Sequence, residues 1–326
     1  MKIQTRPSKH LLSAAFAVLI SALPLHGDKM PNVVFILIDD ISHYGVSAYG
    51  AKQLNSTEGF FESVPVATPE IDRLANEGVL AKNAYAYAIC EPTRIALMTG
   101  MNNHRNFVQA KALHESHITF GDLFKRAGYT TGIAGKWKQS RGSSTIPGDA
   151  YVDQFGWDYI HCFDLLYEGP RHIDPNFVIN GKINWYKGLN PETKRRYYGP
   201  ELVNRFALDF IEKHQDEPFF LYYPMLLVHD EHTPTPDTQP YEHYDNFEVM
   251  IHTGIKADNS FGAFKGDDRR FYPAMVAYMD KMIGNVTVFP GGAVDAEDTN
   301  IALAAEIPQP CRARLSEDCA DDISTP

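Results

Sequence analysis

Four short stretches concentrate the residues that could do chemistry. The first is Cys90-Glu91-Pro92-Thr93-Arg94-Ile95-Ala96-Leu97-Met98-Thr99-Gly100. A helix running from Pro92 to Gly100 would leave Cys90 at its mouth, where free backbone N–H groups and the macrodipole favour negative charge. An anionic nucleophile gains from that position, and Arg94 adds a fixed cation beside it. A lone cysteine is ordinarily a buried, inert thiol, so the argument rests on the whole eleven-residue pattern. The second stretch is Asp39-Asp40, an acid pair that abruptly closes an apolar run over 31–38. Paired carboxylates offer hard oxygens for a divalent cation, although acid pairs also start ordinary loops. The third is Gly135-Lys136-Trp137-Lys138 and the fourth is His229-Asp230-Glu231-His232-Thr233-Pro234, each following another apolar run.

These groups need elements to hold them. The run 31–38 is continuous and rich in β-branched residues, as suits a strand buried on both faces. Residues 130–134 and 219–228 read as further strands. Thr68 caps a helix opened by Pro69 and stopped at Gly78, and residues 119–127 form another, stopped at Gly128. Leu202, Val203, Phe206, Phe210 and Ile211 recur at helical spacing within 200–214, and 271–284 reads as a last helix. Helix alternating with strand predicts an α/β fold, a mainly parallel sheet flanked by helices on both faces. In such sheets functional groups gather at the carboxyl ends of strands, which is where Asp39 and Asp40 fall. Residues 139–200 are richer in Gly, Pro, Tyr and Trp and less periodic, and read as an insertion lining a cleft.

Composition narrows the partners. The formal net charge of -11 argues against nucleic acid, which wants a basic surface, but leaves room for a small anionic ligand held by a few local cations. Residues 1–27 read as a signal peptide: Lys2, Arg6, Lys9 and His10 precede a short apolar core broken by Pro24. That core is too short for a comfortable membrane span, so a cleaved signal and a periplasmic or secreted protein, with no stable membrane insertion, are expected. Four cysteines are too few for a disulfide scaffold, although Cys311 and Cys319 could bridge.

Taken together, the four stretches resemble the sulfatase family, whose signature runs cysteine, any residue, proline, a small hydroxyl residue, arginine, then an apolar turn closing at Thr-Gly. The resemblance covers residues 31 to about 236 in the family's order, with the acid pair fifty residues before the cysteine. It implies an alkaline-phosphatase-like fold. It also implies that a maturation enzyme oxidises Cys90 to formylglycine, whose hydrated aldehyde attacks sulfur in a sulfate monoester of an aryl group or a carbohydrate. Asp39 and Asp40, with the residue made from Cys90, would then hold a divalent cation, normally calcium. Lys136 would contact sulfate, and His232, the match to the family's Pro-His-x-Pro histidine, would bind sulfate and protonate the leaving oxygen. Lys138 stands where many members place histidine; it keeps a positive charge but transfers protons less readily near neutral pH.

The likeness stops after Asn285. Members complete the metal site with a second acidic pair at the end of a later strand, and here 286–289 reads as a stub with no Asp-Asn-Gly or Asp-His-Gly behind it. Asp298, Asp321 and Asp322 offer no equivalent spacing. Residues 286–326 therefore read as an irregular tail, truncated or frame-shifted, and the sheet as incomplete with an exposed edge. Two other readings remain beside sulfate ester hydrolysis: a phosphonate or phosphate ester hydrolase of the same superfamily, and an inactive fragment that keeps only anion binding.

Overall fold

The computed structural model describes residues 30–55, 62–141, 151–163, 170–238, 269–288 and 299–305. Its strands are β1 (Asn32–Ile38), β2 (Gln53–Leu54), β3 (Val64–Pro65), β4 (Thr130–Lys136), β5 (Tyr159–Phe163), β6 (Asn176–Ile179), β7 (Lys182–Trp185), β8 (Phe219–Pro224) and β9 (Thr299–Ala305). Its helices are α1 (Pro69–Glu77), α2 (Cys90–Thr99), α3 (Asn103–Asn106), α4 (Phe120–Arg126), α5 (Gly199–His214) and α6 (Tyr272–Thr287). Among the described residues, seven strands make one sheet in the order β7-β6-β5-β4-β8-β1-β9, and β2 and β3 pair separately. From β5 through β9 every neighbour in that order is parallel, while β6 and β7 run antiparallel at one edge.

Helices cover both faces, as the alternation of side chains requires. In β8, Phe219, Leu221 and Tyr223 pack on one side with Ile71 of α1, Phe210 and Ile211 of α5, and Met279 and Ile283 of α6. Phe220 and Tyr222 of the same strand pack on the other with Ile95 and Met98 of α2, Trp137 and Trp157, and with Phe120 and Phe124 of α4 at the margin. A strand apolar at every position is thus what a sheet buried on both faces demands.

Three expectations change. Residues 139–200 are not merely a cleft-lining insertion, because they supply β5, β6 and β7 to the main sheet and place Tyr151, Phe155 and Trp157 in the core. Second, the segment after Asn285 is not a strand stub: Val286 and Thr287 complete the last turn of α6. A strand does follow it, because β9 pairs in parallel with the whole of β1, from Asn32↔Thr299 to Ile38↔Ala305. Residues 286–326 are therefore not uniformly irregular. Third, Thr68 precedes α1, but its hydroxyl pairs with Ser47 Oγ at 2.7 Å, and α1 is capped instead by the Asp280 carboxylate of α6, which accepts from the backbone N–H groups of Glu70 and Ile71 at 3.1 and 3.0 Å. The signal peptide, Asp298, Cys311, Cys319, Asp321 and Asp322 lie outside the described residues.

Gly135 shows how tightly the sheet is drawn where Lys136 must sit. Its φ is +130°, and a Cβ there would lie 1.8 Å from the carbonyl oxygen of Pro224, the last residue of β8. The Gly135→Ala change is expected to cost about 4 kcal/mol or more, because both the backbone conformation and the neighbouring strand oppose it. Urea unfolding followed by circular dichroism checks this, and a loss below about 1 kcal/mol would contradict it.

Candidate active site

The site forms at the carboxyl ends of β1, β4 and β8. Asp39 follows β1 directly, and Asp40 takes a left-handed conformation with φ of +54°, which aspartate tolerates better than most residues. After Pro224 the chain continues along the end of β1, with which β8 is already paired. Met225 N donates to Leu37 O at 2.8 Å, Asp39 N to Leu227 O at 3.1 Å and Val228 N to Asp39 O at 2.8 Å. These three bonds carry His229 onto the acid pair.

The ring of His229 therefore reaches Asp39 and Asp40. One donor atom from each of Asp39, Asp40 and His229 lies within 4.8 Å of the others. His229 Nδ1 lies 2.7 Å from the carbonyl oxygen of Asp230, an atom that can only accept, so Nδ1 carries the proton. That tautomer leaves Nε2 facing Asp40 Oδ2 at 3.5 Å. His232 sits three residues on, its ring 5.7 Å from that of Tyr272. The signal available in the sequence was position: His229 is the first polar residue after the run 219–228, as Asp39 is after 31–38.

Cys90 is the first residue of α2, two positions before the helix start expected at Pro92. A proline in the first turn needs no N–H there, so the helix begins ahead of it. Thr93 fixes the approach: its hydroxyl donates to Ile89 O at 3.0 Å and accepts from Tyr87 N at 3.0 Å. Burial pushes the Cys90 thiol up, and the charges of Lys136 and Asp39, which act in opposite directions, both reach it. The thiol thus stays protonated at neutral pH and is a poor nucleophile as it stands. It is not among the clustered donor atoms, which are Asp39, Asp40 and His229.

Below these groups lies a buried charge network. Lys136 Nζ donates to Asp39 Oδ2 at 2.5 Å, and Arg94 Nη2 lies 3.7 Å from Asp39 Oδ1, with all three side chains fully enclosed. Arg94 Nη1 also donates to Lys136 O at 2.9 Å, so the arginine ties α2 to the end of β4. Burial would raise the Asp39 pKa, but Lys136, His229 and Arg94 outweigh it and hold the carboxyl far below the usual range. Asp40 goes the other way: burial and then the Asp39 charge raise it, against His229 and Lys136. Lys138 is buried just past β4 with φ of +54°.

The donor set fits a divalent cation. Two adjacent buried carboxylates repel, and among the described residues neither Asp39 Oδ1 nor His229 Nε2 has a hydrogen-bond partner. A cation between them would satisfy both atoms and remove the repulsion.

Comparison with known proteins identifies the family. The family model described as Sulfatase matches residues 31–287. An N-acetylglucosamine-6-O-sulfatase of Bacteroides thetaiotaomicron is 28% identical over 240 residues, 72% of this chain and 37% of the relative. An N-acetylgalactosamine-6-O-sulfatase of the same organism is 28% identical over 267 residues, 64% of this chain and 50% of the relative. The chain thus spans half or less of the length of these relatives. Among solved structures, a protein in complex with its substrate D-glucosamine-2-N,6-O-disulfate superposes with a TM-score of 0.60 at 21% identity, covering 85% of this chain and 65% of that one. With a mostly parallel sheet of the alkaline-phosphatase type and a family match over most of its length, the chain belongs to the sulfatase family.

Proposed function

We propose that the protein hydrolyses sulfate monoesters of carbohydrates, outside the cytoplasm, with a nucleophile made from Cys90. The observation that carries the reading is the placement of Cys90 at the start of α2, within reach of the charges of both Lys136 and Asp39. Named activities of the relatives on 6-O-sulfated amino sugars support the substrate class.

Asp39 and Asp40 would hold calcium, with His229 Nε2 beside them. Calcium supplies Lewis-acid stabilisation of negative charge on sulfate oxygens. Formylglycine at position 90, introduced by a maturation enzyme, supplies as its hydrate the hydroxyl that displaces the alcohol from sulfur. Lys136, whose Nζ bonds Asp39 at 2.5 Å, would neutralise sulfate oxygens from the end of β4. Arg94, fully buried and bonded to the Lys136 backbone, positions rather than touches substrate. His229 Nε2, which bears no proton in this tautomer, is suited to the cation and not to acid catalysis, and His232, three residues on, keeps the role of binding sulfate and protonating the leaving oxygen. Lys138 contributes positive charge from the strand end.

Turnover of a matched pair of aryl esters, one sulfate and one phosphate, tests the reading in protein made with a maturation enzyme. Sulfate is expected to be hydrolysed faster; the reverse order would favour the phosphoester alternative, and no turnover of either would leave only an anion-binding fragment. Calcium is tested separately by thermal shift. At a hundredfold excess over its Kd it should add about 2.7 kcal/mol of stability. Asp40→Asn should abolish that response, and a wild-type protein indifferent to calcium would exclude the site.

A further inference from the structure

Arg171 is a cation that the chemistry above does not use. Its guanidinium carbon lies 5.0 Å from the ring centroid of Phe163, the last residue of β5. Phe163 is paired with Lys136 across the sheet and accepts from Trp137 N at 3.0 Å. Arg171 therefore stands at the same end of the sheet as Lys136, over the residue paired with Lys136 on the next strand. Its charge is felt by Asp230 and His172, and Asp230 is the neighbour that bonds the His229 ring.

The backbone around it is locked from two sides. Gly199, which opens α5, has no room for a Cβ because the carbonyl oxygen of Arg171 would lie 1.8 Å away, and Gly199 N donates to His172 O at 2.6 Å. His172 Nδ1 donates to Glu231 O at 2.8 Å, which anchors the same segment to the loop carrying His229. Yet Arg171 Nη1 is buried and, among the described residues, meets no hydrogen-bond acceptor. A guanidinium held in place with a donor unused is suited to an oxyanion that offers two oxygens.

We propose that Arg171 is a specificity-determining residue that binds a second anionic group, a sulfate or a carboxylate, on the sugar unit whose scissile sulfate lies at Cys90 or on its neighbour. This rests on the sulfatase reading, from which it can be separated by measuring binding instead of turnover. The full chain, expressed without maturation so that nothing is hydrolysed, is titrated in calcium with three probes. These are N-acetylglucosamine 6-sulfate, its N-sulfo counterpart, and N-acetylglucosamine 6-sulfate linked to glucuronate. One of the two dianionic probes should bind about tenfold or more tightly than the monoanionic one, as a bidentate guanidinium contact predicts. Which one it is distinguishes sulfate from carboxylate. Arg171→Ala should bring the ratio to within about twofold and Arg171→Gln should do the same, with circular dichroism showing both folded, while Arg171→Lys keeps part of the preference. Equal binding of all three probes by the parent, a preference that survives in Arg171→Ala, or an equal loss for every probe would each overturn the proposal. Failure of aryl sulfate turnover with the preference intact would count against the catalytic reading and leave the subsite standing.

Discussion

Cys90→Ala is expected to lower turnover of a sulfate monoester by roughly 10⁴-fold or more while leaving the fold intact, the scale seen when a covalent nucleophile is removed. The buried side chain is small, and alanine keeps the helix start, so stability should fall by only about 1 kcal/mol. A sharper form of the same prediction follows from the environment of the thiol. Burial raises its pKa, so unmodified Cys90 has little thiolate near neutral pH and should react slowly with alkylating reagents. Activity in different preparations should therefore track the fraction of the Cys90 peptide that mass spectrometry finds as the aldehyde, and not the fraction that remains thiol. A preparation with an intact thiol and full activity would sink the assignment. Cys90→Ser separates the two contributions of the side chain, since it keeps a hydroxyl at the helix mouth without the aldehyde chemistry.

The chemistry was more legible in the sequence than the frame that aligns it. Cys90, Asp39, Asp40 and Lys136 could be picked out because each follows or opens a strongly patterned element, and pattern is local. His229 could not be told from His232 by pattern, since both lie in one polar segment. What selects His229 is a set of bonds between residues 225–228 and 37–39, almost two hundred positions apart in the chain. The same holds for β6 and β7, which sit antiparallel at an edge where half-exposed residues such as Lys182, Ile183 and Trp185 dilute the apolar signal. In β9, Ile301 and Leu303 pack against one core at its margin and Ala304 against the other, a short pattern that becomes a strand because β1 offers it a full-length edge. Loop composition suggested an insertion at 139–200, but tertiary burial of Tyr151, Phe155 and Trp157 made it part of the core.

Lys136→Met should destabilise the protein by about 3–5 kcal/mol, because it strands a buried carboxylate. Asp39 and Lys136 meet at 2.5 Å with neither side chain exposed, and Arg94, at 3.7 Å from the other carboxylate oxygen, is too distant to replace the bond. The pH dependence identifies the cause. In the parent, the Asp39 pKa is depressed, so its contribution is present at all pH values above the unfolded value of about 3.9 and is lost only as pH falls below that. Removing Lys136 takes away the strongest opposition to burial, and the Asp39 pKa moves upward. A carboxyl with a raised folded pKa favours the folded state when protonated, so part of the lost stability should return as the pH is lowered from neutral toward the unfolded value. Denaturant midpoints of parent and variant between pH 7 and pH 4.5 should therefore converge. Calcium offers an independent check, since a cation at Asp39 and Asp40 would supply the charge that Lys136 no longer provides, and the variant should gain more from it than the parent does. Midpoints that stay parallel across that range, with equal gains from calcium, would mean that Lys136 is held there for packing and not to balance the charge of Asp39.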